Sequence, residues 1–302
     1  MDMETIGKLA DARAAFYRAL EKAMGLLPQP VHSKQIAAKQ LIEEIKATNL
    51  PPLEKAALIS NAHKIIKEYS NQNNIVNRTV DVLSYRNNQS DVIINLESKK
   101  VDEEWISRFF DSGKHVSDED LQLIWGHILA NELSDPGSIP KRLISILPSV
   151  EKKHAEAFMM ICKHSLSINS QIVPFVDTVF DEEYWIQHNV LYDNLLELQS
   201  IGLVTYINFG SYSQKGKLSA EDTIEDLFLE YNYSNHSIIV RPTTIQDGQR
   251  TIEVRHGNVN FTSAGMALAK SIHVDYSDEA LNHITGALKS NGYKVEVTTL
   301  EK

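Results

Sequence analysis

The stretch 105–133, WISRFFDSGKHVSDEDLQLIWGHILANEL, decides how this chain folds. It predicts two helices that are joined by a short turn. Asp102 is expected to cap the first helix and Gly113 to close it. Ser117 is expected to cap the second helix, whose first acids favour the positive end of the helix dipole. The apolar spacing predicts a core that contains Trp105, Phe109, Leu121, Ile124, Trp125, Ile128 and Leu129.

A long helix is predicted upstream, over residues 52–85, after helices over 4–27 and 33–48. Its apolar side chains alternate spacings of three and four over more than three heptads, which indicates a coiled-coil seam. Two arrangements are open: the seam packs on the two preceding helices as a bundle, or it pairs with a second copy of the chain. The seam residues are Ile59, Ala62, Ile66, Tyr69, Asn73, Val76, Val80 and Leu83.

The predicted fold is mainly α, with an α+β part at the C-terminal end. Residues 1–86 are expected to form a long-helix bundle, and 87–101, which are rich in Asn and Ser, a linker. Residues 102–166 are expected to form a central helical domain. In residues 167–302 helical patterns alternate with short strand patterns, so this part is expected to be an α+β domain.

The central stretch resembles an uncharacterised bacterial family of unknown function. The shared pattern is W-x-x-x-F, V-S-D-E-x-x-Q-x-x-W, I-L-A-x-E and P-G, and the resemblance covers about residues 30–165 and the later part more loosely. It implies a fold and no established enzymatic activity. It also implies an association with mobile elements and phage defence. The motif residues taken from it are Trp105, Phe109, Ser117, Trp125 and Glu132.

The C-terminal part resembles winged-helix domains, although charge argues against DNA binding by the helix concerned. The pattern is L-x-x-L-x-x-x-G-L-V over 195–204, followed by strands and by Thr262 and Gly265. Between Ser165 and Gln214 the chain has no Lys or Arg and six acids. Affinity for DNA comes largely from Lys and Arg that neutralise phosphates. We therefore expect a winged-helix-like module that binds protein.

Net charge leaves a nucleic-acid-binding regulator as an alternative function. Residues 1–100 carry 14 Lys and Arg against 11 Asp and Glu, a balance of +3, whereas the remaining residues carry 16 against 29, a balance of −13. The basic side chains that such a regulator would use are Lys64, Lys67 and Arg78 on the long helix.

No catalytic residue, cofactor or metal site is predicted. The chain lacks G-x-S-x-G, P-loop, G-x-G-x-x-G and C-x-x-C patterns. A second alternative, a metal-dependent nuclease, rests on Asp91 with Glu97 and Lys99, a short D…E-x-K pattern. The single cysteine, Cys162, has apolar neighbours and is expected to be a buried side chain rather than a reactive thiol.

Glu132 lies in the last turn of its helix, where a negative charge is unfavourable. We expect a buried salt bridge from this carboxylate to Arg108, Lys141 or Arg142. No apolar run approaches the ~18–20 residues that span a bilayer, and the N-terminus lacks the pattern of a signal peptide. The expected location is the cytoplasm.

The leading functional hypothesis is a non-enzymatic interaction, sensor or adaptor protein of a bacterium or its phage, in an antiphage setting. It would assemble with copies of itself through the 52–85 helix. Its acidic C-terminal part would bind a protein partner.

Overall fold

The computed structural model describes residues 31–89, 101–177, 182–218, 227–244 and 249–300. Two compact units follow one another, with the boundary between Ser149 and Val150. The sequence predicted boundaries at 86 and 166, whereas this division places the long helix and the central helices in one unit. The predicted helix over 4–27 lies outside the described residues. No helix among the described residues is long and apolar enough to cross a membrane.

The first unit is helical. Its elements are α1 (Val31–Ala47), α2 (Pro52–Gln89), α3 (Glu103–Gly113), α4 (Glu119–Ser134), α5 (Lys141–Ile146) and a 3₁₀ turn (Leu147–Ser149). The long helix α2 packs on α1, α3 and α4. It continues three residues beyond Arg86, so the predicted start of the linker at 87 is wrong. The remaining linker residues, 90–100, are outside the described part.

One of the two predicted helix caps is confirmed, and the other lies one residue further along the chain. The carboxylate of Asp102 accepts a hydrogen bond of 2.9 Å from the Trp105 N–H, as predicted. The second cap is Asp118 and not Ser117, since Asp118 accepts from the N–H groups of Asp120 and Leu121 at 3.0 Å. Asp118 has extended backbone angles directly before α4, and its charge interacts favourably with the positive end of the helix.

An aromatic cluster forms the core of the first unit. The rings of Trp105 and Phe109 stack at 5.1 Å, and Phe109 meets Trp125 at 4.9 Å. The indole N–H of Trp105 donates to the Ile139 carbonyl at 3.0 Å, so no polar atom of this ring is left unpaired. Each of the three rings is at most 2% exposed, and burial of such a ring contributes roughly 2 kcal/mol.

The predicted core of this unit is confirmed at five of its seven residues, since Ile128 and Leu129 are also buried. Leu121 and Ile124 are only half-buried. Gln122, a polar residue, is buried instead. Its burial is tolerated because its side-chain amide donates a hydrogen bond of 2.9 Å to the Val116 carbonyl in the turn before α4.

Helices α2 and α4 approach closely at Gly126. A Cβ atom at this position would lie 2.8 Å from the Cβ of Arg78, closer than real side chains allow. The crossing therefore requires glycine at position 126. This close approach packs the aromatic core of α4 against the buried half of α2.

The second unit mixes helices and antiparallel strands. Its helices are α6 (Lys152–Lys163), α7 (Glu182–Gln187), α8 (Tyr192–Ile201), α9 (Ser263–Ser271) and α10 (Asp278–Ser290). Its strands are β1 (Ser165–Ile168), β2 (Gln171–Pro174), β3 (Val204–Tyr206), β4 (Tyr212–Lys217), β5 (Leu229–Tyr233), β6 (His236–Pro242), β7 (Thr251–Gly257), β8 (Val259–Phe261) and β9 (Tyr293–Thr299). The chain is thus mainly α with a smaller β part, as predicted.

The described strands form one sheet of the order β2-β1-β5-β6-β9 and two pairs, β3 with β8 and β4 with β7. The apolar face of α10, with Ala280, Leu281, Ile284 and Leu288, packs in the core formed by this sheet. Helix α10 and strand β7 therefore both contribute side chains to the same core.

Candidate functional site

The residues of the predicted seam of α2 are buried to different extents along the helix. In the C-terminal half, Val76, Val80 and Leu83 are buried within the same chain at 5% exposure or less. In this unit α2 contacts the later helices α3 and α4 as well as the preceding α1, so the packing is not the predicted one on two preceding helices alone. Ala62 is buried as well, whereas Ile59, Ile66, Tyr69 and Asn73 are half-buried.

Apolar side chains remain at the surface beside the less covered half of the seam. Leu58 is 44% exposed and Ile65 is 55% exposed, and the two are one heptad apart. Ile59 and Ile66 are also one heptad apart, so these four residues form a strip over two turns of α2. We call the strip of Leu58, Ile59, Ile65 and Ile66 the assembly strip. Leu53, at 82% exposure, lies five residues before it in the chain.

The three basic side chains of the nucleic-acid alternative are at the surface, but two of them have acidic neighbours. The Lys64 ammonium lies 3.8 Å from the Glu68 carboxylate. The Arg78 guanidinium lies 3.5 Å from the Glu119 carboxylate. Lys67 is exposed. Each acid reduces the positive potential that phosphate would require.

The salt bridge predicted for Glu132 is wrong. Its carboxylate is 1% exposed and accepts hydrogen bonds from the N–H groups of Gly137 at 2.8 Å and Ile139 at 3.0 Å. Lys141 and Arg108 instead pair with the carboxylate of Glu104. The turn that follows α4 folds back on the helix end, so its backbone N–H groups reach Glu132. This residue is therefore structural.

A cavity of about 580 Å³ opens in the second unit, between the end of β7 and α10. This volume is typical of sites for small molecules. Phe175, Ala287 and Leu288 give the wall an apolar part. Its polar part comprises Asp177, Arg255, His256, Asn282 and His283, and Gly286 contributes a position without a side chain.

His256 is a buried neutral side chain in the cavity wall. Its Nδ1 lies 2.9 Å from the Pro174 carbonyl, which can only accept, so Nδ1 carries the proton. Burial lowers the pKa of His256 to about 4. At neutral pH the Nε2 lone pair is therefore left to accept a hydrogen bond.

A second buried histidine, His164, lies in an aromatic cluster that ends at the cavity wall. Its Nδ1 donates to the Met160 carbonyl at 3.0 Å, and the Tyr184 hydroxyl donates to its Nε2 at 2.7 Å. Burial lowers the pKa of His164 to about 4. The Tyr184 ring stacks on His283 at a centroid distance of 3.7 Å, which connects this cluster to the cavity.

Arg255 gives the cavity a positive charge. This side chain is exposed and forms no ion pair with any residue that the structure describes. Asp177 is the acidic residue in the wall, and it has an interaction of its own. Across the described ranges, no three His, Cys, Asp or Glu side chains are grouped as a metal ion requires.

Residues 62–284 match the model of a family described as "Protein of unknown function (DUF2806)". The chain belongs to this family. The predicted resemblance to an uncharacterised family is therefore confirmed. No curated protein and no solved structure matches the chain. The region of this DUF2806 member that matches includes Arg255, His256 and His283 of the cavity.

Sequence reasoning missed most of the cavity in this DUF2806 member. The structure pairs His273 with Asp275 at 3.4 Å and places His283 beside Tyr184. Gly286 offered a signal, since a glycine inside a helix needs an explanation.

Two other predictions concern reactive groups, the Cys162 thiol and the nuclease pattern. Cys162 is buried at 2% exposure, as predicted, and burial raises the pKa of its thiol. The residues of the nuclease alternative, Asp91, Glu97 and Lys99, lie outside the described residues, so that alternative stays a prediction.

Proposed function

We propose that this chain is a non-enzymatic interaction protein that assembles with a second copy of itself through the assembly strip of α2. The observation that carries the proposal is the contrast along one helix. The C-terminal half of α2 is buried in its own unit, whereas the strip keeps apolar side chains in water. Exposed apolar surface of this kind typically marks an interaction site. The antiphage setting stays a prediction.

A second copy is the favoured occupant because the strip has heptad spacing. Leu58 and Ile65, with Ile59 and Ile66 beside them, repeat at seven residues, and two such helices can pack side by side. The seam asparagine, Asn73, lies beyond the strip and could fix the register of the pair.

The test is a double substitution, Leu58→Glu with Ile65→Glu, followed by light scattering over a range of protein concentrations. Both side chains are exposed, so the fold is expected to persist. Loss of two apolar contacts and the added charge repulsion should weaken self-association by roughly 100-fold.

The matched control is Ile186→Glu with Leu191→Glu, two apolar residues of the second unit that are 51% and 42% exposed. It adds the same charge and should keep the mass of the wild-type protein. If both double variants have the same mass as the wild type, the strip is not the contact.

We further propose that the second unit binds a protein partner through exposed apolar side chains of α8 and of the loop before β4, with acidic neighbours. Phe209 is 95% exposed, and Tyr192 and Leu196, one turn apart on α8, are 52% and 37% exposed. Asp193 is exposed on the same helix. A partner segment with an apolar anchor and flanking Lys or Arg fits this surface.

The winged-helix-like reading of this unit also belongs to the proposal. It is supported by the end of α8 at Gly202, with φ of 93°, and by the antiparallel pairing of β3 with β8 directly afterwards. The helix that would read DNA is α8. Its exposed apolar side chains and lack of Lys and Arg favour a protein partner instead.

Phe209→Ser is expected to weaken binding of such peptides by roughly 10-fold or more, since exposed aromatic anchors are typical hot spots. Peptides would be selected from a random display library on the wild-type protein and measured by fluorescence polarisation. Leu123→Ser, at a 41% exposed residue of the first unit, is the control and should bind normally. Equal binding to both variants would exclude Phe209 as an anchor.

A further inference from the structure

We propose that the cavity of the second unit binds a small organic anion that contains a ring, with Arg255 binding the acidic group. This inference is independent of self-assembly and partner binding. The volume of about 580 Å³ suits a molecule of up to mononucleotide size.

Charge selects an anion. Arg255 forms no ion pair with the described residues, and its planar guanidinium presents paired donors that match a carboxylate, phosphate or sulfonate. The wall also contains one acid, Asp177, so the anionic group of the ligand is expected beside Arg255. The wall histidine His256 is neutral, so it does not compete with Arg255 for the anion.

The rest of the wall selects a ring with a hydrogen-bond donor. The rings of Phe175 and His256 lie 5.8 Å apart in the same wall, and Leu288 adds apolar surface. Because Nδ1 of His256 donates to the Pro174 carbonyl, its Nε2 can accept from an N–H or O–H group of the ligand. Asn282 contributes an amide that can both donate and accept.

Gly286 lies in the cavity wall. It lies inside α10, where glycine is less favourable than alanine, and no neighbouring atom would come within 4 Å of a Cβ there. Packing therefore does not require glycine at this position. A large side chain at Gly286 should occupy the cavity without disturbing the backbone.

The experiment uses two fluorescent probes that share their rings and differ in charge. The anionic probe is 8-anilino-1-naphthalene sulfonate, and N-phenyl-1-naphthylamine is its counterpart without the sulfonate. Both are titrated into the full-length protein and its variants. The wild type should bind the anionic probe at least ~10-fold more tightly, because Arg255 contacts the sulfonate.

Arg255→Gln should weaken binding of the anionic probe by ~10-fold and leave the neutral probe within about twofold. Lys217→Gln, at an exposed cation outside the cavity wall, removes the same charge and should change neither probe. Gly286→Phe should abolish binding of both, and Gly286→Ala should keep both. The assignment is overturned if the anionic probe does not bind, if Arg255→Gln binds it normally, or if Gly286→Phe binds both probes like the wild type.

Discussion

A fall in pH from 7 to 5 is expected to destabilise the second unit by about 2 kcal/mol for each of two buried histidines. Burial lowers the pKa of His164 and of His256 to about 4, against an ordinary value of 6.5. Below pH 6.5 the unfolded chain takes up a proton at each ring, whereas the folded chain does so only near pH 4. The stabilisation is therefore present above pH 6.5 and is lost as the pH falls towards 4.

The measurement is hydrogen exchange in urea at pH 7 and pH 5, followed in peptides of the second unit. His164→Asn with His256→Asn removes both titrations, so this variant should lose less stability on acidification than the wild type. His273→Asn is the control, since it removes an exposed histidine of the same unit. Should the double variant be too unstable to fold, proton NMR of the wild-type histidines tests the same point. Titration of either buried ring near pH 6.5 would contradict the account.

Substitution of Glu132 by alanine is expected to cost roughly 3–5 kcal/mol of unfolding free energy in the first unit. Two N–H groups, of Gly137 and Ile139, would lose the acceptor that they have in the folded chain. Each unpaired buried donor costs about 1–3 kcal/mol, and the lost side-chain volume adds to this. Glu132→Gln should cost less, since it keeps the shape and one acceptor oxygen.

The pH dependence gives this prediction a second readout. Burial raises the pKa of Glu132, and the hydrogen bonds from Gly137 and Ile139 offset part of that shift. A raised pKa means that the contribution of this carboxyl is fully present below pH 4.5 and declines as the pH rises through its folded value. The cost of Glu132→Gln should therefore be smaller at pH 7 than at pH 4. Glu104→Gln, at an exposed and paired carboxylate, is the control, and an equal effect of the two substitutions would contradict the structure.

Local signals in the sequence predicted local structure well. The start of α2 at Pro52 and the Asp102 cap were both confirmed. These features depend on residues a few positions apart, so one sequence is enough to read them. The cap of α4 was misplaced by one residue, because Ser117 and Asp118 are both good caps and the backbone angles decide between them.

Features that depend on distant residues could not be predicted. The unit boundary at Ser149 follows from the packing of α2 on α4, whose contact at Gly126 joins residues far apart in the chain. The partners of Glu132 are backbone groups, which no side-chain pattern reveals. The cavity joins Phe175, Arg255 and α10, and the heptads of α2 alone could not tell a bundle from a pair of chains.

The mass of the wild-type protein in solution tests the central proposal most directly. It would be measured at low salt by light scattering, with absorbance at 260 and 280 nm recorded across the peak. The account predicts a dimer or larger assembly that carries no nucleic acid. A monomer at every concentration would contradict self-assembly through α2. A peak with nucleic acid that salt removes would instead favour the basic residues Lys64, Lys67 and Arg78 as the functional surface.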